Sequence, residues 1–63
     1  MCESTIILRK GEERNEIMKD VIKVNFENDR VICTDITGNK QELADVRIIE
    51  IDSLKHIIVL AEK

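Results

Sequence analysis

Short runs of β-branched and aliphatic residues, each closed by a polar turn, recur at roughly 8–10-residue intervals along this 63-residue chain. Seven such runs can be read from the sequence, and runs of this kind are typical of β-strands. The predicted strands are 3–9, 14–18, 21–26, 30–34, 40–43, 46–51 and 56–60. They predict one all-β domain over residues 1–63, a small seven-stranded barrel or SH3-like roll.

The predicted turns coincide with the residues best suited to make them. Gly11 and Gly38 are the only two glycines, and each lies in a polar stretch where positive φ is useful. One segment allows a second reading, because Glu13 and Ile17 have helical spacing within 12–19. That helix would have only about two turns and no clear cap, so the strand reading ranks first.

Alternation along the strands predicts which side chains share a face of the sheet. Ile6 and Leu8 share one face of strand 3–9. In strand 21–26, the residues Ile22, Val24 and Phe26 alternate with those at 21, 23 and 25. This is the pattern of a half-buried strand. The last strand is apolar throughout after its first residue, so we expect it to be central in the sheet or to lie at a subunit interface.

Charge and aromatic content weigh against a nucleic-acid partner. The net charge is −3, whereas nucleic-acid binding normally needs a basic face. Phe26 is the only aromatic residue, so almost nothing is available for base stacking. The apolar runs are too short to span a membrane. Two cysteines without a preceding secretory signal lead us to expect a reduced, cytoplasmic protein.

Cys2 is the candidate functional residue, because it places a thiol beside the N-terminal amine. Lone cysteines are usually small buried hydrophobes, but chain termini are seldom deep in a core. With Met1 retained, its amine, the Met1–Cys2 peptide nitrogen and the Cys2 sulfur can chelate one metal in fused rings. With Met1 removed, the amine and thiolate of Cys2 chelate directly. We favour retention.

Planar nitrogen and sulfur donors suit Ni(II) or Cu(II), whereas a structural Zn(II) site needs a tetrahedral set of Cys or His ligands. Besides Cys2, the chain has one further cysteine, Cys33, and one histidine, His56, and no CxxC or HxxxH pairing occurs. The sequence therefore gives little support to a structural zinc site. In a two-fold dimer, two Cys2 thiolates and two backbone nitrogens would form a shared N₂S₂ site.

The remaining candidate residues are better explained by structural roles. Cys33 lies in a predicted strand next to the apolar Val31 and Ile32, so we expect it to be a buried packing residue. His56 opens the last strand, and we expect an exposed strand-end residue that is at most an accessory metal contact. No nucleophile–base pair with an orienting partner and no glycine-rich phosphate loop is present, so we predict that the chain is not an enzyme.

The whole chain resembles the CooT family of small nickel-binding proteins, some of which are catalogued as predicted RNA-binding proteins. The resemblance lies in the chain length, the start Met1-Cys2-Glu3, the central Thr34-Asp35-Ile36 followed by Gly38, and the later Ile48, Ile51-Asp52, His56 and Ile58-Val59-Leu60. It implies an SH3-like β-barrel, a homodimer and one Ni(II) bound by the N-terminal regions of both chains. It also implies an accessory role in nickel delivery to carbon monoxide dehydrogenase.

Within this resemblance Cys2 carries over as the thiolate ligand and Met1 through its backbone only, while His56 is not part of the metal-site pattern that can be matched, so its involvement would be new. The sequence leaves two rival functions open. One is a small RNA-binding module, which the charge and aromatic content disfavour. The other is a metal-independent interaction domain that docks on a larger enzyme by its sheet edge.

Overall fold

A computed structural model of the chain describes residues 3–62, and these form six β-strands. The strands are β1 Ser4–Lys10, β2 Glu13–Glu27, β3 Arg30–Asp35, β4 Lys40–Ala44, β5 Val46–Asp52 and β6 Ile57–Glu62. The all-β prediction is confirmed. No helix among the described residues is long and apolar enough to cross a membrane.

All six strands belong to one sheet in the order β4-β3-β2-β1-β6-β5. Neighbouring strands are antiparallel, except that β1 and β6 run parallel. The chain therefore begins in the middle of the sheet, and its last strand is central, as the apolar run predicted. The predicted closed barrel is wrong, because β4 and β5 are the two edges of an open sheet. The SH3-like description stays a prediction.

The predicted count of seven strands is also wrong, because segments 14–18 and 21–26 are two parts of the single strand β2. Asp20 has a positive φ of 58°, which bends the strand without ending it. Residues up to Val21 pair with β1, and residues from Val21 onward pair with β3. The sequence places a polar residue at the bend, which looks like a turn. The helical alternative for 12–19 is excluded by the same pairing.

The predicted faces of β1 are confirmed, whereas those of β2 need correction. Ile6 and Leu8 are buried. Ile22 is 55% exposed, because a β-bulge between Val21 and Lys23 adds a residue and turns Val21 inward instead. Phe26 lies opposite the buried Val31, but it stands next to the β2–β3 turn and remains 61% exposed.

The core draws on strands from both sides of β1. Its buried cluster is Ile6, Leu8, Val21, Val31, Cys33, Val46 and Leu60. Half-buried side chains extend the cluster toward the solvent, namely Ile17, Met18, Val24, Leu43, Ile48 and Ile58. Truncation of a fully buried member such as Ile6 to Ala would cost about 2–5 kcal/mol.

Both glycines occupy the turns predicted for them. Gly11 has φ +62° and Gly38 has φ +92°, so each adopts a conformation that an L side chain rarely takes. The parallel β1–β6 pair is fixed at its start by the Thr5 amide, which donates to the carbonyl oxygen of His56 at 2.9 Å. This bond brings the first strand residues against the turn that precedes β6.

Candidate metal-binding region at the start of β1

The two predicted metal-site residues, Met1 and Cys2, lie outside the described residues. Ser4, the first residue of β1, is half-buried and is the strand residue nearest to them in the sequence.

Two adjoining hollows flank Ser4 and share it, together with Ile58, as a common wall. The first is lined by Ser4, Ile51, Asp52, Ser53, His56, Ile57 and Ile58. The second is lined by Ser4, Val21, Ile22, Lys23, Val24 and Ile58. We call the two hollows together the Ser4 groove. It is mostly apolar, with a cation on one flank and a carboxylate on the other.

The first hollow is bordered by the β5–β6 turn, which Asp52 organises. The Oδ1 atom of Asp52 accepts the amide of Leu54 at 3.1 Å and that of Lys55 at 2.9 Å. His56 follows with a positive φ of 58° and is exposed, as expected for a strand-end histidine. The imidazole of His56 and the carboxylate of Asp52 both line the first hollow, and both are of chemical types that can bind a metal ion.

Cys33 is placed as the sequence predicted, in the core rather than at a site. Its side chain is 1% exposed on β3 and belongs to the central apolar cluster. Burial raises the pKa of the Cys33 thiol, which disfavours the thiolate that a metal or an electrophile requires. Of the two cysteines, Cys33 is the structural one.

Within residues 3–62, no group of three or more His, Cys, Asp or Glu side chains comes together in a way that could hold a metal ion. Several carboxylates of this range form surface ion pairs instead. The pairs are Lys10–Glu62, Arg14–Glu50, Lys19–Glu16 and Arg30–Glu42. Exposed pairs of this kind contribute little stability each, so they are features of a solvated surface.

One polar network was missed by sequence reasoning. Asp35 ends β3, and its carboxylate accepts hydrogen bonds from Thr37 and Asn39 at 2.8–3.3 Å. The hydroxyl of Thr37, and then the other bonds, lower the pKa of Asp35. The signal was present in the spacing Asp-x-Thr-x-Asn around Gly38, because short polar side chains commonly bond their own turn backbone. The network closes the turn between β3 and β4.

The overall fold matches that of a solved structure. The chain aligns with the crystal structure of a protein assigned as a CooT from Carboxydothermus hydrogenoformans, with a TM-score of 0.89 and 18% sequence identity over 98% of each chain. At that identity the likeness shows the fold. Comparison with curated proteins gives no match.

The sequence itself identifies the family. The profile of the family described as CO dehydrogenase accessory protein CooT matches residues 1–61. The chain therefore belongs to the CooT family, and the resemblance stated from the sequence is confirmed. Members are accessory proteins to CO dehydrogenase and not enzymes themselves, which confirms the prediction that this chain is not an enzyme.

Proposed function

We propose that the protein is a nickel carrier for the maturation of CO dehydrogenase, with Ni(II) as its cargo. Cys2 supplies the thiolate ligand, and backbone nitrogens of Met1 and Cys2 complete the donor set. Two chains share one metal ion in a homodimer. The coarse part of this function, an accessory role toward CO dehydrogenase, follows from family membership.

The observation that carries the nickel assignment is that the family match begins at residue 1 and so includes the Met1-Cys2 start. Thiolate and amide nitrogen donors in one plane match the geometric preference of Ni(II). The second thiol of the chain, Cys33, is 1% exposed and has a raised pKa. Cys2 is therefore the thiol left to serve as a ligand.

A terminal site also suits transfer of the cargo. β1 is held on both sides, by β2 and by β6, so the sheet does not depend on residues that precede Ser4. Metal can then enter and leave the N-terminal segment without unfolding of the core. A carrier needs this property, whereas a structural metal site couples metal binding to folding.

The test is a titration of the protein with Ni(II), followed by absorbance in the region of thiolate-to-nickel charge transfer. We expect a band that saturates for the wild type and is lost in Cys2→Ser, with circular dichroism unchanged. Cys33→Ala is the matched control, because it removes the buried thiol and should keep the band.

Retention of the band and of the nickel affinity in Cys2→Ser would contradict the assignment of the ligand. Loss of the band in Cys33→Ala with the fold intact would move the site to β3. Delivery is tested separately, by activation of nickel-free CO dehydrogenase with the loaded protein. We expect activation at nickel concentrations at which free Ni(II), and Cys2→Ser protein treated with nickel in the same way, give none.

A further inference from the structure

We infer that three arginines in one row across the sheet, Arg14, Arg9 and Arg47, form the surface that binds an acidic segment of CO dehydrogenase. This inference deepens the proposed function and rests on its accessory role. It needs no metal ligand and no residue outside the described range. Strand register, burial and charge on one face of the sheet support it.

Strand register places the three arginines on the same face. Arg14 of β2 lies directly opposite Arg9 of β1, and Arg9 is paired with Ala61 of β6. Ala61 is paired in turn with Arg47 of the edge strand β5. Paired residues point to the same side of a sheet, so we call Arg14, Arg9 and Arg47 the arginine row. Adjacent strands are about 4.8 Å apart, so the Cα atoms of Arg9 and Arg47 lie about 10 Å apart across Ala61.

The middle of this face is apolar and is covered by long charged side chains. Ala61 is 3% exposed and Val59, on the same face, is fully buried, yet neither belongs to the central core cluster. Above them the Arg14 guanidinium reaches Glu50 of β5 at 3.9 Å, so this ion pair spans β1 and β6. Arg9 is half-buried, as expected when its hydrocarbon stem covers apolar surface and its guanidinium stays in water. The guanidinium groups are therefore directed over the middle of the face.

The register also sets two like charges against each other. Arg9 and Arg14 are directly opposite in an antiparallel pair, an arrangement that is destabilising for like charges. The one carboxylate that reaches the row, Glu50, pairs with Arg14, as far as residues 3–62 are concerned. A second anion beside Arg9 would relieve the repulsion that remains.

Two guanidinium groups of the row are left for such an anion. Among residues 3–62, neither Arg9 nor Arg47 takes part in an ion pair. The nearby Glu16, which lies one pair further along β2, is engaged by Lys19 at 3.5 Å. The chain as a whole has a net charge of −3, so this face reverses the overall charge locally. The row is therefore complementary to a negatively charged partner.

The chemistry of the row and the family role together select the partner. The planar guanidinium binds carboxylates and phosphates through two parallel hydrogen bonds. Nucleic-acid phosphates are disfavoured by the net charge of −3 and by a single aromatic residue, Phe26. The family role is that of an accessory protein to CO dehydrogenase, so the anions that the row meets are carboxylates on that enzyme.

The experiment is biolayer interferometry of the metal-free protein, in chelator, on immobilised nickel-free CO dehydrogenase. We expect the wild type to bind with an affinity that falls as salt rises, and Arg9→Gln and Arg47→Gln to bind about tenfold more weakly. Lys40→Gln is the matched control, because it removes one exposed positive charge from β4, away from the row. It should bind within about twofold of the wild type.

Thermal unfolding distinguishes a binding role from a structural one. Removal of the Arg9 charge relieves the repulsion by Arg14, so Arg9→Gln should unfold at the same temperature as the wild type or higher. Weaker binding without loss of stability is the expected signature. Arg9→Lys keeps the charge and loses the planar fork, and it should bind with an intermediate affinity. Arg47 is exposed on an edge strand, so Arg47→Gln carries the test if the Arg9 variants fail to fold.

Unchanged affinity in Arg9→Gln and Arg47→Gln would overturn the inference, and so would an equal loss in Lys40→Gln, which would reduce the effect to net charge. A wild type that does not bind the enzyme, or that binds a labelled RNA through the same arginines instead, would also overturn it. Failure of the nickel proposal is separate: nickel binding that survives Cys2→Ser contradicts the ligand, whereas the binding assay in chelator contains no nickel and stands by itself.

Discussion

The β3–β4 turn and the β5–β6 turn begin in the same way and end differently. Each starts from an aspartate that closes a strand, Asp35 in one and Asp52 in the other. Asp35 accepts bonds from the backbone and side chains of Thr37 and Asn39, so the polar groups of that turn satisfy one another. Asp52 accepts two backbone amides only, and Leu54 at the tip is 88% exposed.

The two turns differ in how far polar side chains stabilise them. The first is closed by polar side chains that bond to its own backbone, although it also exposes Ile36 (52%). The second turn has two hydrogen bonds from its backbone to Asp52, and it presents Leu54 to solvent beside the Ser4 groove.

The comparison is tested most directly by replacing one of the two aspartates at a time. Asp35→Ala should destabilise the protein more than Asp52→Ala, because the first loses four hydrogen bonds and the second two. The Asp52 variant should lose about 1 kcal/mol of unfolding free energy. Urea unfolding of both variants measures the order, and an equal or reversed order would contradict the view that the first turn is the more strongly stabilised.

A smaller effect comes from the charge of Asp35. Its pKa is lowered in the folded protein, chiefly by the Thr37 hydroxyl, so the folded state favours the ionised carboxylate. The stabilisation is complete above the unfolded pKa of about 3.9 and is lost as pH falls through the lower folded pKa. We expect the unfolding free energy of the wild type to fall more steeply below pH 4 than that of Asp35→Asn. Parallel pH profiles of the two proteins would contradict this role.

Backbone effects concern the positive-φ residue of each turn, Gly38 in the first and His56 in the second. Gly38→Ala should cost about 1 kcal/mol, because a Cβ is disfavoured in that conformation. His56→Asn should be neutral or stabilise by a few tenths of a kcal/mol, because Asn tolerates positive φ well. Thermal unfolding measures both. Nickel affinity should be unchanged in His56→Asn, and a tenfold loss would make the imidazole a ligand.

Much of the fold could be predicted from the sequence, because alternation and turn residues act locally. The buried Ile6, Leu8 and Cys33, the glycine turns and the exposed His56 all follow from such patterns. The errors lie at Asp20, where a polar residue at positive φ bends β2 without ending it, and at Ile22, where a bulge reverses the face. Both depend on pairing with β1 and β3 at once, which no local pattern reports.

The candidate site likewise has a part that the sequence predicts and a part that depends on the fold. Cys2 could be singled out from its position beside the amine, a property of the sequence alone. The Ser4 groove could not, because it joins Ile22 on β2 to Ile51 on β5 across the ends of β1 and β6. Its existence depends on the parallel β1–β6 pair, which places the start of the first strand beside the last turn.

The most direct test of the central claim, that two chains share one nickel ion at their N-termini, is native mass spectrometry of the nickel-loaded protein. We predict one nickel ion per two chains in the wild type and none retained in Cys2→Ser, which should still be dimeric. One nickel ion bound per single chain, or nickel retained at the same ratio in Cys2→Ser, would contradict the account.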